Sequence, residues 1–198
     1  MKITPGIAEI VGIYIGDGHI YRKDNKFQIG FTGNPITDLE LFERLKELIK
    51  KEFDKDINFK IRARGLRTAF RSKIVSNLLV NELGLTYGKG KSERVIIPEK
   101  IASDWDLARH TIRGIMDTDG SFSIERSVRK AGQNRQKNDL IKYRPKILLS
   151  MVSERSIKYI LSNCEYGNLH IIKANSALRG EAFRFSIQSR PDAIEFLQ

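Results

Sequence analysis

The sequence has few of the residues that build disulfide frameworks and zinc sites. Its single cysteine, Cys164, has no partner within the chain, so an internal disulfide is excluded and the side chain is expected in a core. The three histidines, His19, His110 and His170, are too scattered for the ligand spacing of a zinc site. The sequence therefore indicates neither zinc chemistry nor a disulfide scaffold.

Long apolar runs are also missing. No stretch approaches the roughly eighteen consecutive apolar residues of a membrane span, and the first ten residues, MKITPGIAEI, lack the pattern of a signal peptide. We therefore expect no membrane partner and a soluble, intracellular protein, cytoplasmic if the host is prokaryotic. With 198 residues, of which 40% are hydrophobic, the chain can bury a core as one large or two small domains.

Negative charge is in the minority. The chain has 35 Lys and Arg residues against 24 Asp and Glu residues, which gives a formal net charge of +11. Such an excess favours a polyanionic partner, and nucleic acid is the first interpretation. The alternative is a basic surface that is only solvated.

Helical periodicity alternates with strand patterns, which predicts a fold of the α+β class. Three predicted strands have one apolar face and one polar or basic face, because successive side chains of a strand point to opposite sides. The polar faces either are solvated or bind nucleic acid. Helices are predicted over residues 4–17, 37–53 (with Thr37 or Asp38 as N-cap), 73–83, 104–118 and 153–163. In the strands, the apolar faces carry Phe27, Ile29, Phe31, Phe59, Ile61, Ala63, Phe183, Phe185 and Ile187, and the opposite faces carry Gln28, Gly30, Asn58, Lys60, Arg62, Arg64, Arg184, Ser186 and Gln188.

One short segment recurs. IVGIYIGDG, which starts at Ile10, aligns with IRGIMDTDG, which starts at Ile112, with five identities in nine positions. Further on, TAFRSKI resembles EAFRFSI, and this second copy is eleven residues longer between the matched positions, with the polar stretch 129–143 as the predicted place of the extra length. We predict two copies of one α/β unit, over residues 1–100 and 101–198.

Small residues recur on one face of each repeated helix. Gly12 and Gly16 lie four residues apart, and Gly114 and Thr118 take the same places in the second copy. Small residues at this spacing let two helix backbones approach closely. The two helices are therefore predicted to pack in parallel about a pseudo-twofold axis.

Parallel packing would end both helices at the same level, where Asp17 and Asp119 would meet. Gly18 and Gly120 are predicted to let each chain leave its helix through a left-handed conformation. Adjacent carboxylates repel unless one is protonated or a cation lies between them, and a hard divalent cation suits this place. In a basic protein the arrangement indicates metal-dependent phosphodiester hydrolysis. The alternative is that both aspartates are ordinary turn residues before glycine.

At these two segments the sequence resembles the LAGLIDADG homing endonucleases, in the single-chain form that carries the motif twice. The first copy departs from the signature at Ile15, where an acid is frequent. The resemblance implies two pseudo-symmetric αββαββα repeats, with the LAGLIDADG helices at their interface and two antiparallel, saddle-shaped sheets that bind DNA. It also implies a site-specific DNA endonuclease that makes metal-dependent double-strand breaks at a long, mostly non-palindromic site.

The same resemblance implies a metal site. Asp17 and Asp119 would be catalytic and would hold the metal, with the carbonyl groups of Gly16 and Thr118 as further ligands. Mg²⁺ is the expected cofactor; Mn²⁺ would substitute for it, and Ca²⁺ would support DNA binding without efficient cleavage.

A catalytic lysine is also implied. The segment YGKGKSERVIIP resembles the part of the family that carries a basic residue near the metal. Lys91 is the first candidate and Lys89 the second. The alternative for either lysine is a solvated loop charge.

Double-stranded DNA is the implied partner, and a chain with two unequal halves is expected to bind it as a monomer. A LAGLIDADG-like RNA maturase or a DNA-binding regulator without cleavage is the alternative, although neither needs both acids. An intron-encoded enzyme is expected rather than an intein-embedded one, because no splicing residues flank the chain. Further polar groups of the site are expected around Gly33 and Asn34 and at Ser150. The residues expected to contact DNA are Gln28, Thr32, Asn34, Lys60, Arg62, Arg64, Arg67, Arg71, Arg184 and Gln188.

Overall fold

A computed structural model of the protein describes residues 1–23, 26–62, 65–129, 140–151, 153–163, 168–173 and 181–187. In the first half of the chain the elements are α1 (Pro5–Asp17), β1 (Gly18–Lys23), β2 (Lys26–Gly33), α2 (Leu39–Phe53), β3 (Phe59–Arg62), β4 (Gly65–Phe70) and α3 (Lys73–Ser76), which continues as a π-helical segment (Asn77–Glu82). Two short helices follow, α4 (Lys91–Arg94) and α5 (Glu99–Ala102). The second half contains α6 (Trp105–Asp119), β5 (Gly120–Arg129), β6 (Leu140–Met151), α7 (Glu154–Asn163), β7 (Asn168–Lys173) and β8 (Glu181–Ile187).

The strands form two four-stranded antiparallel sheets of the same topology. Their orders are β1-β2-β4-β3 and β5-β6-β8-β7, and each sheet follows its own LAGLIDADG-like helix. The α+β class and the five predicted helices are confirmed. A boundary at residue 100 stays a prediction. None of the helices in the described part of the chain is long and apolar enough to cross a membrane.

Helix α1 is enclosed by its neighbours. The Thr4 side chain caps its first turn by accepting a hydrogen bond from the Ile7 amide (3.1 Å), and Pro5 occupies the first helical position, where its missing N–H is not needed. All nine residues from 7 to 15 are buried, including Glu9, which forms an ion pair with Arg44 of α2. Burial on all sides explains why this helix is apolar around its whole circumference.

The contact between α1 and α6 depends on the small residues. A Cβ atom on Gly12 would collide with the Thr111 carbonyl and stand 3.0 Å from the Gly114 Cα atom. Nearer the start of α1, the Ala8 carbonyl accepts a hydrogen bond from the Thr111 hydroxyl (2.9 Å). Residue numbers increase together along both helices at these contacts, so the helices are parallel. The predicted close, parallel pair is confirmed.

The predicted left-handed exit from the helices is wrong. Gly18 has φ −80° and ψ 154°, and Gly120 has φ −83° and ψ 162°, so both are extended. Glycine is required here by space: a Cβ atom on Gly18 would lie 2.5 Å from Tyr14 Cα, and one on Gly120 would lie 2.5 Å from Met116 Cε. The chain folds so closely over the last helical turn that it leaves no room for a side chain.

The alternation of the first sheet is confirmed, with one exception. Ile29 and Phe31 of β2 and Leu66 of β4 are buried on the core side. Ile61, predicted to be buried, has 67% of its surface exposed. Its strand β3 is the edge of the sheet and pairs only with β4; the core reaches Phe59, which packs against Phe42, but does not extend as far as Ile61.

Part of the extra length of the second copy lies in its strands. β5 and β6 have 10 and 12 residues, whereas β1 and β2 have 6 and 8. The predicted loop over residues 129–143 was therefore too wide, since Arg129 and residues 140–143 are strand. The predicted final helix, along with Cys164, lies outside the described residues.

Candidate active site at the end of the helix pair

The parallel helix pair brings the two motif aspartates together. Each is the last residue of its helix, Asp17 in α1 and Asp119 in α6. The place that a Cβ atom on Gly16 would take is 3.4 Å from Asp119 Oδ2, so the second carboxylate lies against the last turn of α1. The predicted meeting of the two carboxylates is therefore present in the structure.

The surroundings of both carboxylates disfavour the ionised form. Burial raises the pKa of Asp17 to about 6, and the negative charges of Asp119 and Asp38 add to this increase while Lys91 opposes it. Burial also raises the pKa of Asp119, against the effect of Lys91. Among the described residues, no side chain forms a hydrogen bond or an ion pair with either carboxylate. The negative charge at this point thus lacks a direct partner.

The ammonium group of Lys91 lies beneath the carboxylates, at the C-terminal end of α1. Its Nζ atom is within hydrogen-bonding distance of four carbonyl oxygens, three in the last turns of α1 and one at the start of β1. These are the carbonyls of Tyr14 (2.7 Å), Ile15 (2.8 Å), Gly16 (3.0 Å) and Gly18 (2.7 Å). A cation here satisfies the last carbonyl groups of the helix and interacts favourably with its dipole.

The loop before α4 places this lysine. Gly88 and Gly90 have φ values of 79° and 72°, a left-handed conformation that other residues rarely adopt. The Lys91 ammonium then lies 5.0 Å from the centre of the Tyr14 ring. Burial lowers the pKa of Lys91 to about 8, although both aspartates oppose the decrease. Lys89, the second candidate, is exposed.

The donor set at this point fits a magnesium-like ion. No group of three His, Cys, Asp or Glu side chains converges anywhere in the described part of the chain, so two carboxylates would be the only side-chain ligands. Mg²⁺ is typically held by one or two carboxylates and keeps several waters, which substrate phosphates replace. The Gly16 carbonyl already accepts from Lys91, but a carbonyl oxygen has a second lone pair. The Thr118 hydroxyl donates back to the Gly114 and Ile115 carbonyls, so the group of this residue that was expected as a ligand is its carbonyl.

The side of the first sheet that faces away from the core is polar and basic; we call it the outer face. Alternation places Gln28 and Thr32 of β2 on it, and the register sets Arg67 opposite both Thr32 and Lys60. Lys60 and Arg67 are exposed, and Gln28 and Thr32 are half-buried. The structure therefore gathers these four predicted DNA-contacting residues on one surface.

The other predicted DNA contacts are less closely grouped. Asn34 is exposed, and its amide oxygen accepts a hydrogen bond from Ile36 N (2.9 Å) in the turn before α2. Arg71 is exposed just beyond β4. Arg62 pairs with Gly65 in the register of β3 and β4. In the second sheet, Arg184 pairs with Ser150. Arg64 and Gln188 lie outside the described residues.

Two residues near the carboxylates were not singled out from the sequence. Asp38 lies close enough to raise the pKa of Asp17. Its carboxylate accepts a hydrogen bond from the backbone N–H of Asn34 (2.6 Å). His19 lies on the outer face opposite Gly30, where a Cβ atom on that glycine would collide with the imidazole. Burial, Lys91 and Arg67 all lower the pKa of His19. Alternation along β1 places the side chains of His19 and Ile20 on opposite faces of the sheet. This pattern could have assigned His19 to the outer face from the sequence.

Comparison with protein sequences gives one distant relative. No family model matches the chain. The replication factor C small subunit of Methanocaldococcus jannaschii is 33% identical to it over 137 residues, which make up 68% of this chain. The chain spans 7% of the length of that protein, so the similarity concerns a small segment of it.

Comparison with solved structures gives similarity over nearly the whole chain. The I-SmaMI LAGLIDADG homing endonuclease bound to cleaved DNA has a TM-score of 0.61 at 15% identity, over 99% of this chain and 82% of that one. I-DmoI in complex with DNA and Mn has a TM-score of 0.62 at 15% identity, over 98% of this chain and 94% of that one. I-LtrWI bound to target DNA has a TM-score of 0.61 at 16% identity, over 98% and 83%. The chain therefore has the fold of the LAGLIDADG homing endonucleases, in the form that joins two repeats in one polypeptide.

Proposed function

We propose that the protein is a site-specific DNA endonuclease that makes divalent-metal-dependent double-strand breaks. One observation carries this proposal: Asp17 and Asp119 converge at the end of the close-packed helix pair, beside the buried ammonium group of Lys91. Two adjacent carboxylates that have no hydrogen-bond or ion-pair partner among the described residues form a site that attracts a cation. The point lies where each helix runs directly into the first strand of its own sheet.

The residues divide the chemistry between them. Asp17 and Asp119 supply the charge that would hold a magnesium-like ion, and such an ion would activate water and stabilise the leaving oxygen when bound. Lys91 holds a positive charge next to this place, where it stabilises the negative charge that develops on a phosphate. Because four carbonyls hold its ammonium, the lysine is positioned before DNA arrives and need not be ordered during the reaction.

The outer face supports DNA as the substrate. Its exposed cations, Lys60 and Arg67, lie on strands of the sheet that begins directly after Asp17. A phosphate backbone that lies along this face would reach the two carboxylates at the end of the sheet where β1 begins. The structural neighbours I-SmaMI, I-DmoI and I-LtrWI are DNA-bound in the structures compared, which agrees with this surface. Because one chain holds two unlike copies, we infer a monomer on a mostly non-palindromic site.

Cleavage of a supercoiled plasmid library tests the proposal. A randomised insert is incubated with the protein and Mg²⁺, and linear products are sequenced to recover the target. We expect linearisation with Mg²⁺ or Mn²⁺ and little with Ca²⁺, whose looser coordination positions the reacting oxygens less well. Binding of duplex DNA without nicking or linearisation in Mg²⁺ would favour the alternative, a regulator or maturase that uses the same fold. Sedimentation of the protein with its target should show one chain per duplex.

A further inference from the structure

A basic cleft opens at the outer end of the first sheet, away from the carboxylates. It has a volume of about 390 Å³ and lies where β2 begins and where the chain passes from β4 into α3. Three cations, Lys26, Arg71 and Lys73, line it together with the amide side chains of Asn77 and Asn81. None of its lining residues is acidic.

The cleft adjoins the outer face at the end of the sheet, and Phe27, which packs against Tyr87 on the core side, also lines it. Lys26 precedes Gln28 by two residues on β2, so alternation places both on the same side of the sheet. Arg71 follows Phe70, which is buried on the core side, at the point where β4 ends. A polyanion lying along the outer face, over Lys60 and Arg67, would therefore reach the cleft next.

The positive charge of the cleft is not neutralised within the protein. All three cations are exposed, and in the part of the chain that the structure describes none of them forms an ion pair. The two asparagines are linked, since Asn81 Nδ2 donates to Asn77 Oδ1 (2.9 Å) and Asn77 Nδ2 donates to Glu82 (3.0 Å). Each amide nitrogen carries two hydrogens, so each keeps one donor for a ligand.

We propose that this cleft binds backbone phosphate of duplex DNA beyond the stretch that the sheet covers, and so lengthens the stretch of DNA that the protein contacts. The inference rests on the proposed function, because it takes the DNA to lie along the outer face. Cations and N–H donors are the groups that bind phosphate oxygens without reading the base sequence. The cleft is therefore expected to add affinity that is salt-dependent and independent of sequence.

Salt titration of DNA binding tests the proposal. The probe is a labelled duplex of random sequence, and the variant combines Lys26→Gln, Arg71→Gln and Lys73→Gln. If each cation contacts a phosphate, the slope of log affinity against log salt decreases by about 0.9 per contact, or about 2.7 for the three. A decrease of this size in the slope can be measured.

A matched control removes the same charge elsewhere. Lys46 and Lys51 lie in α2, and Lys55 follows the end of that helix that is distant from the aspartates. Changing these three lysines to glutamine should leave the slope at the parental value. Equal slopes for the two triple variants would overturn the cleft proposal while leaving the nuclease proposal intact. A parent protein that does not bind duplex DNA would overturn both.

Discussion

The two repeats share one topology but differ in how far the described residues cover their sheets. Ile20 of β1 and Phe122 of β5 occupy equivalent places after their motifs, yet Ile20 is 3% exposed and Phe122 is 56% exposed. In the first repeat the segment after the π-helix returns across the core side of the sheet, where the Tyr87 ring packs edge-on against Phe27 at 5.7 Å. Among the described residues, no comparable segment covers Phe122 or its neighbour Ile124.

The same segment accounts for the chemical difference between the repeats. It covers the first sheet with Leu85, Val95 and Ile97, and between these residues it brings Lys91 to the end of α1. Both helices end with the same backbone hydrogen bond, from Gly18 N to the Tyr14 carbonyl in α1 and from Gly120 N to the Met116 carbonyl in α6, and in α1 the Lys91 ammonium is added to it. One segment therefore closes a core and delivers a cation, which makes a site from two similar halves asymmetric.

The largest expected effect comes from the part that the repeats share. Asp17→Asn and Asp119→Asn should each fold and bind DNA, because neither carboxylate forms a described hydrogen bond, but each should lower the rate of plasmid linearisation by more than about 10³-fold. Asp117→Asn is the matched control, since Asp117 also lies on α6 but pairs with Arg113 at 3.8 Å. Linearisation at the parental rate by either motif variant would refute the assigned metal role.

Lys91 sharpens the contrast between the repeats. Lys91→Met should slow cleavage by about 10²- to 10³-fold, the usual effect of removing one preorganised charge-stabilising group. DNA affinity should change little, because the ammonium group is directed at the helix end and not at the outer face. Lys89→Met, a change two residues away at an exposed side chain, should cleave normally. Equal rates for both variants would assign Lys91 only to capping of α1.

The helix pair tests how closely the repeats must approach. Gly12→Ala and Gly114→Ala each place a methyl group within 3.0 Å of the facing backbone, and helix backbones cannot move aside as flexible side chains do. Each should lower the free energy of unfolding by about 1 to 3 kcal/mol or more, measured by urea titration. A Gly12→Ala protein as stable as the parent would show that the pair is looser than its geometry indicates.

The repeat could be recognised from the sequence because the contact residues themselves recur. Gly12, Gly114 and the two aspartates lie in the aligned segments, so one alignment predicted helix, contact and carboxylate pair together. The conformation of Gly18 could not be predicted in the same way. A left-handed exit and a lack of room both demand glycine, and only the backbone angles of Gly18 in the folded chain distinguish them.

Features that depend on distant parts of the chain were beyond the sequence. The resemblance ranked Lys91 above Lys89, but the four carbonyls that hold it come from residues more than 70 positions away. Burial of Ile61 was predicted from alternation, which does not show where a strand lies in its sheet. Asp38 was predicted as a helix cap, and its effect on Asp17 became visible only in three dimensions.

Substitutions on the outer face are expected to have a smaller effect, which is confined to DNA binding. Lys60→Gln with Arg67→Gln removes two exposed cations from the first sheet. If both contact phosphates, the slope of log affinity against log salt should decrease by about 1.8. Cleavage by this variant at saturating protein should stay near the parental rate. An unchanged slope would mean that DNA does not lie along this sheet.

The smallest expected effect is the pH dependence of stability that comes from protonation of Asp17 in the metal-free protein. Its pKa of about 6 lies above the ordinary value of 3.8, so the folded state binds a proton that the unfolded state has already released between these pH values. Stability from this group is therefore complete below about pH 4 and is lost as the pH rises through 6. Asp17→Asn should be more stable than the parent at pH 7.5 by about 1 to 2 kcal/mol after screening by solvent, and the gap should close at pH 4. Carbon NMR of the carboxyl group in EDTA gives the titration directly, and in Asp119→Asn the midpoint should move down but stay above 3.8, because burial is the larger cause. A midpoint that is the same with and without Asp119 would mean that the two carboxylates do not sense each other, and the two repeats would then not share one site.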